Sequence, residues 1–354
     1  MKKLKVGLIG FGLSGRTFHS PLLLADTGFE VAAVSSRRID EVKSVFPQAQ
    51  VFEEAEALIH MSGLDLVINT APNDLHYSLT KMALEAGRHV VVEKPFVNSS
   101  AEGRELIALA KQKSVALTVF QNRRWDSDFL TIKKLISENR LGQIKQFESH
   151  FDRWRPEVRV ERWREKSGAG TGILYDLGSH LIDQALNLFG EPDSLQADVV
   201  AQKTEAATDD YFHVVLNYGS MRVILHSTSF ADSTPRFQVF GDHATFTKYG
   251  LDPQEAQMRE GLSPRDLEFG REEPENFGIV IEPGAGEAEA IESSVGQYSE
   301  FYRLLREHIM SLRENPASAP AKPLPVEPSE ALRVIELIEL AHESSKSGRR
   351  ISLK

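Results

Sequence analysis

The chain has 354 residues, of which 41% are hydrophobic and 26% charged, ordinary proportions for a globular protein with room for two domains. A net charge of −10 argues against a general nucleic-acid binder, and no apolar run reaches membrane-spanning length. There is no cysteine, which excludes disulfides, thiolate catalysis and cysteine-ligated metals.

Leu4 to Ile9 reads as a strand, and Gly10-Phe11-Gly12-Leu13-Ser14-Gly15 follows it at once. Thr17 to Leu24 suits a helix, and Phe29 to Val34 a second strand. This is the G-x-G-x-x-G dinucleotide fingerprint in its required setting. Gly10 allows the tight turn, Gly12 lets a pyrophosphate approach the backbone, and Gly15 lets helix and strand pack closely. The helix N-terminus offers unpaired N–H groups to the anion.

The end of the second strand selects the cofactor. An NAD enzyme usually carries an acid there, about 20 residues past the glycines, to bind the ribose 2′-OH. This chain has Ser35-Ser36-Arg37-Arg38 instead. Guanidinium forks bind phosphate oxygens bidentately, so the expected cofactor is NADP(H) in preference to NAD(H). The nearest acids, Asp40 and Glu41, belong to the start of the next helix. The entry from Met1-Lys2-Lys3 straight into a strand is unlike a signal peptide, and with the cofactor it suggests a cytoplasmic protein.

Strand and helix keep alternating. Asp65 to Thr70 is a strand that leaves through Ala71-Pro72-Asn73-Asp74, His76 to Ala86 a helix closed by Gly87, and His89 to Val92 a strand followed by Glu93-Lys94-Pro95. Ala101 to Lys113 is a helix and Ala116 to Phe120 a strand. Such alternation predicts a doubly wound parallel sheet with its ligand beyond the C-terminal strand ends, where Arg38, Asn73, Lys94 and Asn122 all fall.

After about residue 124 the pattern changes. A helix over Asp128 to Asn139 precedes period-2 segments at Gln143 to Arg153, Leu195 to Gln202, Tyr211 to Tyr218, Arg222 to Ser229 and Phe237 to Gly241. These predict an α+β domain with a large, mostly antiparallel open sheet, interrupted by a helix over Ile173 to Phe189. The acidic stretch Gln254 to Glu292 reads as loop with short strands, and Tyr298 to Arg313 as helix. Asn315 to Pro328, with five prolines, is a loop, and Ser329 N-caps a final helix to Ser345. There is no internal repeat. The expected domains are 1–124 for NADP, 125–328 for substrate and oligomerisation, and 329–354 as a helix packing back near the first.

Two further features can carry chemistry. Lys94, at a strand end, can polarise a carbonyl or steady an alkoxide. Asp176 and His180, four apart, share a helical face behind the glycine-rich approach 168–172. His has the pKa for proton transfer near neutrality, and a carboxylate can orient it. The pair supplies only two ligands, so no metal is expected. Gln121 to Asp126 can touch cofactor, substrate or another domain. The basic and aromatic segment Asp152 to Arg164 is interleaved with Glu157 and Glu161, which favours a substrate-side loop or subunit contact over RNA.

The ordered set Gly10-Phe11-Gly12 with Gly15, Ala71-Pro72-Asn73 with His76, Glu93-Lys94-Pro95, and Asp176 with His180 resembles the Gfo/Idh/MocA oxidoreductases over essentially the whole length. Within that family, segments 15–19, 34–36, 122–131, 147–153 and 248–255 resemble the NADP-dependent scyllo-inositol dehydrogenases. The resemblance implies a Rossmann domain and a C-terminal α/β domain, a cis Lys94–Pro95 bond, and a homodimer or homotetramer formed through the outer face of the second sheet. The implied cofactor residues are Gly10, Phe11, Gly12, Leu13, Ser14, Gly15, Ser35, Ser36, Arg37, Arg38, Thr70, Pro72, Asn73, His76, Glu93, Lys94 and Asn122. Lys94, Asp176 and His180 are the implied catalytic residues. Trp125, Arg153 and Tyr175 join Asp176 and His180 on the substrate side. The implied reaction is reversible hydride transfer between nicotinamide and a secondary alcohol of a cyclitol such as scyllo-inositol. Alternatives are an aldose or keto-sugar dehydrogenase of the same family and a non-catalytic NADP sensor.

Overall fold

The computed structural model describes residues 3–159, 165–284, 287–314 and 322–354. The chain divides into two compact units, neither of them contiguous: residues 1–122, 254–269 and 297–333, and residues 123–253, 270–296 and 334–354. The sequence had suggested contiguous segments. What brings the later stretches into the first unit is apolar surface. Helix α9 (Ser299–Glu314) buries Phe301, Tyr302, Leu305 and Ile309, with Phe301 edge-on to Phe120 at 4.9 Å and Tyr302 edge-on to Phe29 at 5.5 Å.

The first unit is a six-stranded sheet in the order β3-β2-β1-β4-β5-β6, every pair parallel. The strands are β1 (Leu4–Ile9), β2 (Phe29–Ser35), β3 (Gln50–Phe52), β4 (Leu66–Asn69), β5 (His89–Val92) and β6 (Leu117–Val119). β4 is buried throughout, as a strand covered on both faces must be. Between the strands run α1 (Ser20–Ala25), α2 (Ile39–Val45), α3 (Ala55–Ile59), α4 (His76–Glu85) and α5 (Ser100–Lys113). Ser99 and Glu102 close a reciprocal capping box on α5. The strand order reverses between β1 and β4, the switch point where this architecture opens a ligand crevice.

The second unit is a nine-stranded sheet in the order β14-β13-β12-β11-β7-β10-β9-β8-β15. Its strands are β7 (Ile144–His150), β8 (Ser194–Val200), β9 (Tyr211–Tyr218), β10 (Met221–Thr228), β11 (Phe237–Gly241), β12 (Thr245–Lys248), β13 (Gly278–Ile281), β14 (Ala288–Ile291) and β15 (Ile351–Ser352). Among the described strands of this sheet, only β7 and β10 pair in parallel. Burial alternates along β9 and β10, so one face is packed and the other half-exposed. The unit also holds α6 (Ser127–Ser137) and α7 (Ser179–Phe189). Helix α10 (Pro328–Ser347) passes from the first unit into the second, where Ser344 and Ser345 take the β8 amides of Ala197 and Val199 at 3.0 and 2.8 Å.

Several elements differ from the sequence reading. The helix after the fingerprint starts at Ser14, not Thr17, because a π-helical turn, Ser14–His19, precedes α1. A second π turn, Leu174–Gly178, precedes α7. Within the acidic stretch lies a short helix, α8 (Gln254–Arg259). Ser329 is not a cap: Pro328 already lies in α10, where its missing N–H costs nothing, and the Glu327 amide is taken by the Glu330 carboxylate at 3.1 Å. Residues 315–321 of the proline-rich segment and 160–164 of the basic segment lie outside the described residues. No helix among the described residues is long and apolar enough to cross a membrane.

Candidate active site

The first unit gathers the fingerprint at the C-terminal ends of β1, β2, β4 and β5. Ile9, Ser35, Asn69 and Val92 are register partners along that line. Gly10 turns with φ +89°, a conformation strained for any side chain, and a Cβ there would stand 2.8 Å from Thr70 Oγ1. A Cβ on Gly15 would overlap the Gly10 carbonyl oxygen. A Cβ on Gly12 would meet no protein atom within 4 Å. The chain's own packing thus requires two of these glycines, while the third faces open space, as a phosphate-approach glycine must. The loop fits a dinucleotide.

Its walls are braced by side chains assigned to the cofactor from sequence. Thr70 donates its hydroxyl to Ile9 O at 2.8 Å, holding the turn. Phe11 is buried edge-on to Phe46 at 6.3 Å. Leu13 is half exposed and Pro72 exposed. His76 is buried, its Nδ1 2.7 Å from Pro95 O and its Nε2 3.0 Å from Ala71 O, so the ring joins two loops. Asn73 is buried beside it, and its carbonyl accepts from Asn98 at 3.2 Å. The Lys94–Pro95 bond is cis.

At the end of β2 the four residues divide. Ser35 is buried, and its hydroxyl donates to Glu53 O at 3.4 Å. Ser36 Oγ accepts from the Arg38 amide at 3.0 Å and shapes the turn. The Arg37 and Arg38 side chains are exposed. Glu41, in the first turn of α2, lies 3.7 Å from Arg38 and accepts from Arg16 at 3.0 Å. Arg16 is thus a third guanidinium of this edge, one that sequence reading passed over.

Beneath the loop is a buried relay that sequence reading also missed. The His19 ring stands between Tyr302 Oη, 2.5 Å from Nδ1, and Glu93 Oε1, 3.0 Å from Nε2. Ser14 donates its hydroxyl to the same carboxylate oxygen, and Glu93 Oε2 accepts from the Lys94 amide at 3.0 Å. Burial works to raise the Glu93 carboxyl. The hydrogen bond and charge of His19, with Ser14, outweigh it and bring it down to about 2. Burial, then the Glu93 charge, pushes the Tyr302 phenol well up. Glu93 and Ser14 therefore anchor the fingerprint turn to the strand end that carries Lys94.

In the second unit, Asp176 lies in the π turn and His180 in the first turn of α7, buried to 5% exposure. π turns of this kind concentrate at functional sites. Asp209 fixes where the segment begins. Its carbonyl accepts from the Ile173 amide at 3.0 Å and its carboxylate from the Leu174 amide at 2.8 Å. Burial raises the Asp209 carboxyl, against the Leu174 amide and the His342 charge. Tyr175 is buried and stacks on His342 with ring centroids 6.1 Å apart.

Helix α7 is held by a buried polar network. Asp183 takes a bidentate fork from Arg124 at 2.8 and 2.6 Å. Gln184 donates to Arg123 O at 2.9 Å and accepts from Arg236 at 3.0 Å, and Arg236 also reaches Ser149 Oγ at 2.6 Å. Arg123 pairs with Asp126 at 3.2 Å. Within 121–126 the two arginines are thus spent on fixing the helix that carries His180. Asn122 is buried and Trp125 half-buried, both in the turn Asn122–Trp125. The Arg153 guanidinium lies over the Phe151 ring at 4.8 Å.

Comparison with known proteins agrees with this layout. Residues 4–121 match the Gfo/Idh/MocA family model described as an NAD-binding Rossmann fold, and residues 133–353 match that of the family's C-terminal alpha/beta domain. The chain is 45% identical to scyllo-inositol 2-dehydrogenase (NADP(+)) IolW of Bacillus subtilis, covering 99% of this chain and 96% of that protein. It is 43% identical to the uncharacterized oxidoreductase YdgJ of Escherichia coli, with 99% of each covered. Among solved structures, the putative oxidoreductase yvaA of Bacillus subtilis superposes with a TM-score of 0.93 at 44% identity, covering 100% of this chain and 99% of that one. The chain belongs to the Gfo/Idh/MocA family of oxidoreductases, with a nicotinamide-dinucleotide-binding Rossmann domain and the family's C-terminal α/β domain.

Proposed function

We propose that this protein is an NADP(H)-dependent dehydrogenase of a cyclitol, with scyllo-inositol as the alcohol and the corresponding inosose as the ketone. The observation that carries the cofactor preference is the end of β2, where exposed Arg37 and Arg38 stand in place of an acid. The 45% identity to a scyllo-inositol 2-dehydrogenase over nearly the whole chain supports the substrate. When bound, the nicotinamide supplies hydride acceptance or donation. The chain's own residues do the rest. The amides around Gly12 receive the pyrophosphate, and the guanidiniums of Arg37 and Arg38 receive the 2′-phosphate. Lys94 hydrogen-bonds the reacting oxygen and steadies its negative charge. His180 takes the hydroxyl proton in oxidation and returns it in reduction, and Asp176 orients the imidazole. Proton transfer of this kind is worth about 10²–10⁴ in rate. The half-exposed face of the nine-stranded sheet is the proposed surface of a homodimer or homotetramer.

The test is nicotinamide absorbance with purified protein, NADP⁺ or NAD⁺, and scyllo-inositol, myo-inositol or glucose. Reduction of NADP⁺ with scyllo-inositol, lost in His180→Ala and Lys94→Ala while NADPH binding persists, is the expected result. Preference for NAD⁺ would overturn the reading of Arg37 and Arg38. Turnover confined to glucose would move the substrate to the aldoses. Tight NADPH binding with no turnover on any sugar or cyclitol would favour a sensor.

A further inference from the structure

The half-exposed face of the nine-stranded sheet carries a row of imidazoles in register. His226 on β10 lies opposite His150 on the parallel neighbour β7 and opposite His213 on β9. Just past β7, the Asp152 carboxylate reaches into this row. Its Oδ1 is 3.0 Å from His226 Nδ1 and its Oδ2 is 3.5 Å from His150 Nδ1. The Thr228 amide at 2.9 Å and the Thr234 hydroxyl at 2.7 Å fix the carboxylate's direction. From the other side, Glu148 Oε2 lies 3.2 Å from His150 Nε2. That contact orients the ring so that its Nδ1 faces the Asp152 carboxylate, and the two carboxylates hold His150 from both sides.

One donor atom from each of His150, Asp152 and His226 lies within 4.8 Å of the other two. A cation with bonds of about 2.0–2.2 Å closes such a triangle with small side-chain shifts. Two imidazoles and one carboxylate are a borderline donor set, suited to zinc-class ions and poor for calcium or magnesium, which prefer oxygen. The Glu148–His150 contact has the form of the outer carboxylate that orients a metal-bound histidine. We propose that His150, Asp152 and His226 bind one divalent cation of the zinc class, pinning β7 to β10 where the two strands pair in parallel. None of the three is assigned to hydride or proton transfer, and three protein ligands leave a fourth position for water or another donor.

The experiment uses the full, untagged chain stripped with a chelator, re-dialysed against Zn²⁺ and assayed for bound metal, with Co²⁺ absorption as a second probe. One Zn²⁺ per chain is expected, with a raised thermal midpoint. His226→Gln and His150→Gln should each weaken binding at least about tenfold while NADPH titration stays at the wild-type value. Stripped wild type that takes up no Zn²⁺ and shows no thermal shift would overturn the proposal. So would either folded variant that binds Zn²⁺ as wild type does.

Discussion

Gly12→Ala and Gly15→Ala should separate cofactor binding from folding, although the two positions lie three residues apart. At Gly12 the added methyl meets no protein atom within 4 Å, and φ is not in the left-handed region. Alanine there should leave stability unchanged or raise it by up to about 0.4–1 kcal/mol through the unfolded chain. On the proposed function, the same methyl stands where the pyrophosphate would approach. Overpacking of that kind costs about 1–3 kcal/mol, or roughly a five- to 150-fold rise in the Kd for NADPH. At Gly15 the methyl overlaps the Gly10 carbonyl oxygen and lies 3.2 Å from Thr70 Oγ1. Backbone cannot swing aside as a long side chain can, so the about 1–3 kcal/mol falls on folding itself, and the turn that binds cofactor is displaced with it. NADPH fluorescence titration reads the first quantity and urea unfolding of the apoprotein the second. The reasoning fails if Gly12→Ala binds NADPH as wild type does, or if it unfolds as readily as Gly15→Ala.

His89 predicts a dependence of stability on pH. Its Nδ1 accepts from the Ala116 amide at 2.9 Å, so the folded ring must be neutral there. Burial, with the Arg313 and His308 charges, holds its pKa down to about 4 from 6.5. The unfolded chain binds the proton first, so this stability is whole above 6.5 and drains as pH falls toward 4. Over about 2.5 pH units that is up to about 3 kcal/mol. Urea midpoints across this range should fall less steeply in His89→Asn, and parallel curves for variant and wild type would refute the assignment. For assembly, the wild type should sediment as a dimer or larger, and Ile281→Lys on β13, at a residue 50% exposed, should shift it toward monomer. A wild-type monomer at micromolar concentration would remove the sheet face as an interface.

Much of the first sheet was legible because its strands are short apolar runs closed by Gly, Pro or Asn, and a fully buried strand leaves that trace. The fingerprint was legible because its glycines lie together between β1 and the helical turn that follows it. Ser35 closes β2 beside buried Ala33 and Val34, and its bond to Glu53 O, 18 residues away, leaves no trace in the local sequence. His19 was hidden because its partners Glu93 and Tyr302 lie 74 and 283 residues away. Asp209, which sets the start of the His180 segment, is 35 residues from the amide it caps. Helix α8 and strand β15 are too short to show a period.

The return of residues 297–333 to the first unit has a consequence for synthesis. As the chain leaves the ribosome, residues 1–122 emerge first, yet Phe29, Phe120 and His19 wait for the rings of Phe301 and Tyr302. At about 5–20 residues per second, roughly 200 residues separate the two events, or about 10–40 s. During that interval Phe29 and Phe120 lack the rings that pack against them in the folded unit. A gene cut after residue 124 would make that lack permanent.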